Sequence, residues 1–172
     1  MRLQVSVFST PLGWFCLLGR DHRASLLTIG YRRAEDALGR FKLPINDRLD
    51  EVDWQPELRQ RLERFASGEA VSFDDIDVEI DHRTPFQQRV LIATRGIGFG
   101  ETISYGELAA RVGSPNAARA VGAVMASNHI PIIIPCNRVV GSRGELVGFS
   151  APRGIDLKRR LLKMEQLAVP VT

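Results

Sequence analysis

Apolar and polar residues alternate through residues 2–9, 13–19 and 25–31, and turn-forming residues separate the runs: Thr10-Pro11-Leu12-Gly13, then Arg20-Asp21-His22-Arg23. Side chains of a strand point alternately to its two faces, so this spacing predicts three strands joined as an antiparallel meander. The period then lengthens. Arg32 to Phe41 and Pro56 to Ala66 have helical spacing, the second with Leu58, Leu62 and Phe65 on one face and Gly68 just past its end. An acidic run of period two, Phe73 to Asp81, precedes Thr84-Pro85, and a domain boundary is expected there, dividing the chain into residues 1–78 and 79–172.

Helical spacing resumes from Phe86 to Thr94, followed by the glycine loop Gly96-Ile97-Gly98-Phe99-Gly100, which lacks the Lys-Ser/Thr of a phosphate-binding loop. Ser104-Tyr105-Gly106-Glu107 has the form of a capping box, and the helix it opens should end at Gly113. Ser114 as N-cap and Pro115 as first helical residue predict a second helix reaching Ala126, hence a helix-turn-helix. Its apolar stripe is Ala117, Val121, Val124 and Met125. Ala118, Gly122 and Ala126 form a second strip with almost no side chain, and this smooth face fits either a neighbouring helix or, with Arg119 beside it, a nucleic-acid groove. Ile132 to Ile134, framed by Pro131 and Pro135, predicts a short buried extended segment that presents Cys136 on a stiff stem. Gly141 to Gly144 predicts a hairpin turn between Val139-Val140 and Glu145 to Val147. Pro152 to Gln166 predicts a last helix, with Ile155, Leu161, Leu162 and Met164 mainly inward and Lys158, Arg159, Arg160 and Lys163 as a basic outer face.

Charge sharpens this division. Residues 1–82 carry 11 Lys and Arg against 15 Asp and Glu, net −4, whereas residues 83–172 carry 12 against 5, net +7. A basic half fits either a polyanionic partner or a solvated face. The two cysteines lie in unrelated patterns and the three histidines show no metal-ligand spacing, so neither a disulfide framework nor a metal site is expected. No long apolar run or signal peptide is visible, which points to a cytoplasmic protein without a membrane partner. Cys16, alternating with Trp14 and Leu18, reads as core packing, and His22 and His82 as surface residues. Cys136 alone fits either a buried small hydrophobe or a nucleophile, with Arg138 and helix N-termini as the groups that would favour its thiolate.

Phe99-Gly100-Glu101-Thr102-Ile103-Ser104-Tyr105, Ala117-Ala118-Arg119-Ala120-Val121-Gly122, Asn128 and Ile134-Pro135-Cys136-Asn137-Arg138-Val139-Val140 together resemble the methylated-DNA-protein-cysteine methyltransferases, the O6-alkylguanine-DNA alkyltransferase repair family. The resemblance is close over residues 84–167. It implies an α/β protein: a small ribonuclease-H-like N-terminal domain with a three-stranded antiparallel sheet, and a mainly helical winged-helix-type C-terminal domain carrying the helix-turn-helix. It implies a monomer, without cofactor, that meets duplex DNA containing O6-alkylguanine in the minor groove, flips the base and transfers its alkyl group once, irreversibly, to Cys136. Ser114, Ala118, Ala120, Gly122 and Ser142 would contact DNA. Arg119 would fill the hole left by the base, and Tyr105 would push on the phosphate and donate to the base. Asn128, Val139, Phe149 and Ser150 would form the alkylguanine pocket. The family motif is Pro-Cys-His-Arg, whose His links the thiol through water to a Glu resembling Glu165. Here the position is Asn137, which does not take up a proton near neutral pH. Competing readings are a lesion-binding protein with weak or no transfer and a winged-helix transcription regulator.

Overall fold

The three N-terminal strands form as expected in the computed structural model, which describes residues 3–41 and 49–168. Leu3–Thr10 (β1), Gly13–Arg20 (β2) and Arg23–Tyr31 (β3) run antiparallel, with Gln4 opposite Gly19 and Thr10 opposite Gly13 in the first hairpin. Gly13 closes that hairpin at φ +110°, where a β-carbon would stand 2.7 Å from the Tyr31 carbonyl oxygen. A side chain is excluded there. A fourth short strand, Leu49–Glu51 (β4), adds in parallel to β1, so the sheet order is β3-β2-β1-β4. Three residues are too few for a period to show in sequence.

The alternation along β2 sorts its side chains onto the two faces. Cys16 and Leu18, with Val5 of β1, pack beside Ala37 of α1 (Ala34–Gly39), a helix shorter at both ends than its pattern predicted. Cys16 is therefore core packing. Phe15 and Leu17 face the other way, into a core that continues through Leu58, Leu62 and Phe65 of α2 (Pro56–Ala66) to Val121, Ile133 and Leu161 in the second half. Each such side chain taken fully out of water contributes about 1.5–3 kcal/mol. The acidic run passes along β3, where Ala24 N–H donates to Asp77 O at 2.9 Å and Glu79 N–H to Ala24 O at 2.8 Å. His22 and His82 are exposed.

The second half opens with α3 (Pro85–Arg95), capped by a Thr84–Gln87 box, and α4 (Tyr105–Arg111), capped by the expected Ser104–Glu107 box. The next helix differs from expectation: α5 is Ala118–Ala126, starting three residues after Pro115. Gly113 at φ +76° ends α4 and sends the Ser114 N–H back to Ala109 O at 2.9 Å, while the Ser114 carbonyl accepts from Ala117 N–H at 2.9 Å. Ser114 thus closes one helix instead of capping the next.

Two further expectations change. Ile132–Ile134 is buried but not extended: Ile134 N–H reaches Ile130 O at 2.9 Å, and Ile132 sits at φ +72°, a costly conformation for a β-branched residue. The Ile133 and Ile134 amides are satisfied within the turn, by Pro131 O and Ile130 O, each at 2.9 Å. Val139–Val140 (β6) pairs in parallel with Ile103–Ser104 (β5) and not with Glu145–Val147, although Gly141 N–H to Glu145 O at 2.8 Å still closes the predicted turn. The last helix, α6, is Gly154–Leu167. Its inner stripe is Leu157, Lys158, Leu161, Leu162 and Glu165, so Lys158 is buried, whereas Ile155 is exposed and Met164 half-buried. Among the described residues, no helix is long and apolar enough to cross a membrane.

Candidate active site and nucleic-acid interface

Pro135, at φ −79° and ψ 67°, makes an inverse γ-turn in which Cys136 N–H donates to Ile134 O at 2.8 Å. The chain then winds into a 3-10 turn, Cys136–Arg138, that buries all three side chains. Asn128 donates its Nδ2 to Ile134 O at 2.9 Å and accepts Ile130 N–H at 3.1 Å, fixing the loop before the cysteine, and also hydrogen-bonds the sulfur.

Arg138 does not support the thiolate as expected. Its Nε donates to Glu165 Oε2 at 2.9 Å, one Nη to Glu165 Oε1 at 3.3 Å and the other to Ile97 O at 2.6 Å, and its guanidinium lies 5.6 Å from the centre of the Phe99 ring. Asn137 donates to Glu165 Oε1 at 3.0 Å, and Gly100 N–H to Oε2 at 3.2 Å. Glu165 therefore anchors four donors. Asn137 and Glu165 meet as the resemblance implied, in a buried network that ties the 3-10 turn to α6 and the glycine loop.

The cation whose charge favours the Cys136 thiolate is Lys158, which lines the same cavity and which the sequence pattern had put on an outer face. Only 1 % exposed, it donates from Nζ to Val139 O at 2.7 Å and lies 3.4 Å from both the Tyr105 hydroxyl and Val147 O. Tyr105 in turn donates to Val147 O at 3.0 Å. Burial pushes the Cys136 thiol above its ordinary range, opposed by the Asn128 hydrogen bond and the Lys158 charge. Burial also pulls the Lys158 ammonium below its usual range, opposed by charge on Cys136, and raises the Tyr105 phenol. Each partner's charge favours the charged form of the other, against the larger opposing effect of burial. A signal for Lys158 existed: it precedes Glu165 by seven residues, two helical turns, and so shares its face.

Above the sulfur opens a cavity of about 540 Å³, walled by Tyr105, Met125, Phe149, Ser150 and Lys158, with Ala118, Arg119 and Gly122 of α5 at one side. A β-carbon on Gly122 would meet the Tyr105 ring at 3.9 Å, an ordinary contact, so the ring alone does not require glycine there. Val121, Val124 and Met125 pack inward and Arg119 is exposed, as the two-faced pattern predicted. Ala120 is exposed beside the strip, and Ser142 lies exposed in the turn after β6. Ser150 donates to Ala126 O at 2.7 Å, linking the loop before α6 to the end of α5. Val139 is not a wall. Its side chain is fully buried, and only its carbonyl, bound to Lys158, bears on the site. Met125 and Val147 line the cavity without having been anticipated. Among the described residues, no three His, Cys, Asp or Glu side chains gather to hold a metal ion.

Known proteins resemble this chain in sequence and fold. The DNA binding domain of 6-O-methylguanine DNA methyltransferase matches residues 85–167. A methylated-DNA-protein-cysteine methyltransferase of Methanosarcina acetivorans is 35 % identical over 162 residues, covering 93 % of this chain and 96 % of the relative. One from Haemophilus influenzae is 42 % identical over 165 residues, covering 96 % and 87 %. The crystal structure of Mycobacterium tuberculosis OGT in complex with DNA superimposes with a TM-score of 0.80 at 33 % identity, covering 98 % of this chain and 96 % of that one.

Proposed function

Because the chain belongs to the methylated-DNA-protein-cysteine methyltransferase family, we propose that it repairs duplex DNA by flipping O6-alkylguanine into the cavity beside α5 and transferring the alkyl group to Cys136. The observation that carries the reading is a single positioned thiol at the floor of a cavity whose rim is the smooth face of a helix. Residues 79–172 carry the chemistry and residues 1–78 brace it. The reading includes action as a monomer, in the cytoplasm where DNA is met.

Transfer is a displacement at the alkyl carbon. The Cys136 thiolate forms the S–C bond as the C–O6 bond breaks, the electron pair goes to guanine, and the released base takes up a proton. Tyr105, with its hydroxyl in the cavity and Lys158 beside it, supplies that proton or steadies the charge. The Lys158 ammonium offsets the thiolate before attack. Asn137, spent on Glu165, holds the 3-10 turn in place and does not serve as base. A thioether has no easy route back to a thiol, so each molecule acts once.

On the DNA side, Ala118 and Gly122 let α5 enter the minor groove closely, and Arg119 fills the stack vacated by the flipped base. Ser114, Ala120 and Ser142 lie around this surface and contact the backbone. Extrusion costs a few kcal/mol, so Arg119→Ala is expected to slow repair in duplex DNA on the order of 10²-fold. Reaction with the free base O6-methylguanine should change less than about 2-fold, below ~0.5 kcal/mol, because Arg119 does not take part in the bond changes. Single-turnover rates on both substrates check this. Equal losses would assign Arg119 to the fold.

A further inference from the structure

The loop that leads from α5 to Cys136 is tethered at three successive residues, Ser127, Asn128 and His129. Ser127, the C-cap of α5, is gripped by Arg83: one Nη donates to Ser127 O at 2.6 Å and the other to Ser127 Oγ at 3.2 Å. Asn128 bonds Ile134 O, Ile130 N–H and the sulfur, and His129 O accepts Leu27 N–H at 2.8 Å. Arg83 is itself fixed, because its N–H donates to Ile80 O at 3.0 Å, its carbonyl accepts from Gln88 Nε2 at 2.9 Å, and Thr84 beside it caps α3. A cation also suits this place. The Ser127 N–H and Oγ both donate to Val124 O, at 3.1 and 3.0 Å, and the carbonyl end of a helix carries partial negative charge.

The same loop contains Ile132 at φ +72°. Such a conformation persists only where the surroundings over-determine it, so the tethers keep the loop from relaxing. Building on the transfer reading, we propose that Arg83 is a positioning residue for alkyl transfer: from the start of α3 it holds the end of α5, and through Ser127 it keeps the neighbouring Asn128 amide aimed at the Cys136 sulfur. Its own charge does not act on the thiol. Burial raises the thiol, and the groups that oppose burial are the Asn128 hydrogen bond, the Lys158 charge and the local amides. Tyr105 and Lys158 line the cavity on one side of the sulfur, and Tyr31, Arg40 and His129 line the space on the other, toward β3. Arg83 does depress the His129 imidazole, after the larger effect of burial, but His129 is not among the groups that act on the thiol. Loss of Arg83 therefore registers at Cys136 through Asn128, as a thiol that ionises at higher pH.

The test is labelling with iodoacetamide from pH 6 to 10, read at both cysteines by peptide mass spectrometry, on wild type, Arg83→Met and Arg83→Lys. Cys136 reacts as thiolate, whereas Cys16, fully buried in the N-terminal core, stays protected as long as the chain is folded. In Arg83→Met the midpoint of Cys136 labelling is expected to rise by about one pH unit. Labelling at pH 7, and single-turnover methyl transfer from duplex O6-methylguanine, should then both fall about 10-fold, the scale of one hydrogen bond to a charged group. Arg83→Lys, which keeps a donor for Ser127 O, should recover most of the loss. An unchanged midpoint in Arg83→Met would overturn the proposal, whether or not transfer falls. So would labelling of Cys16 along with Cys136, which assigns Arg83 to the fold. A shifted midpoint in a protein whose wild type transfers no methyl would sink the transfer reading and leave the tether of the thiol standing.

Discussion

Lys158→Met is expected to slow alkyl transfer near pH 7 by about 10²-fold, the usual scale for removing one preorganised charge-stabilising group. Lys158 is buried, and among the described residues its hydrogen-bond partners are neutral oxygens, Val139 O, Val147 O and the Tyr105 hydroxyl. The charge it faces is that of the Cys136 thiolate. Methionine keeps the apolar stem but leaves the thiolate uncompensated in a site where burial already raises the thiol. The sign of the pH dependence follows. A raised thiol titrates above the ordinary cysteine range, so between pH 7 and 8 the thiolate fraction, and with it the rate, should climb about tenfold per unit. Lys158 titrates below the ordinary lysine range, so its support fades at high pH and the climb should flatten. Asn137→His adds the base that the family motif carries. With Glu165 already oriented toward position 137, it should accelerate transfer near pH 7 and reduce the penalty of Lys158→Met. Single-turnover rates from pH 6 to 9 on the four proteins measure this. A flat profile together with an unaffected Lys158→Met would mean that the thiolate is generated by other groups.

Glu165→Met is expected to cost about 3–5 kcal/mol of folding stability, the range for stranding one member of a buried ion pair. The loss leaves Arg138 buried without its carboxylate and frees the Asn137 amide and the Gly100 N–H as well. Arg138→Met should be costly for the same reason. The double variant Arg138→Met/Glu165→Met should lose much less than the two single losses combined, because removing both charges leaves no orphan. Urea denaturation of the three proteins reads this out. Additive losses would show that the pair is not coupled and that the network does not lock the 3-10 turn to α6.

Where local rules set the structure, the sequence was a good guide. Pro56 and Gly68 bracket α2, the Ser104–Glu107 box opens α4, and the three N-terminal strands follow their alternation. Cys136 and Asn128 were singled out through the family resemblance of their surroundings, and α5 from its two faces. What escaped was decided by tertiary neighbours. β4 exists because the edge of β1 is free, and β6 pairs with β5 because α4 and the 3-10 turn bring them together. Ser114 has the composition of an N-cap, yet a turn from Ser114 to Ala117 intervenes and the helix starts only at Ala118. Arg138 and Lys158 exchanged expected roles for one reason. Sequence proximity placed Arg138 near the sulfur and composition placed Lys158 in solvent, but the stripe set by Leu157 and Leu161 turns Lys158 inward, and Glu165 draws Arg138 away.

The central claim is that Cys136 is the acceptor of a one-way transfer. Intact-mass and peptide mass spectrometry after incubation with an excess of duplex DNA containing O6-methylguanine tests it most directly. The protein should gain one methyl group, localised to Cys136, at one equivalent per molecule, and Cys136→Ser should gain none while still binding the duplex. Methyl on the core residue Cys16, continued turnover beyond one equivalent, or binding of the lesion with Cys136 left unmodified would contradict it.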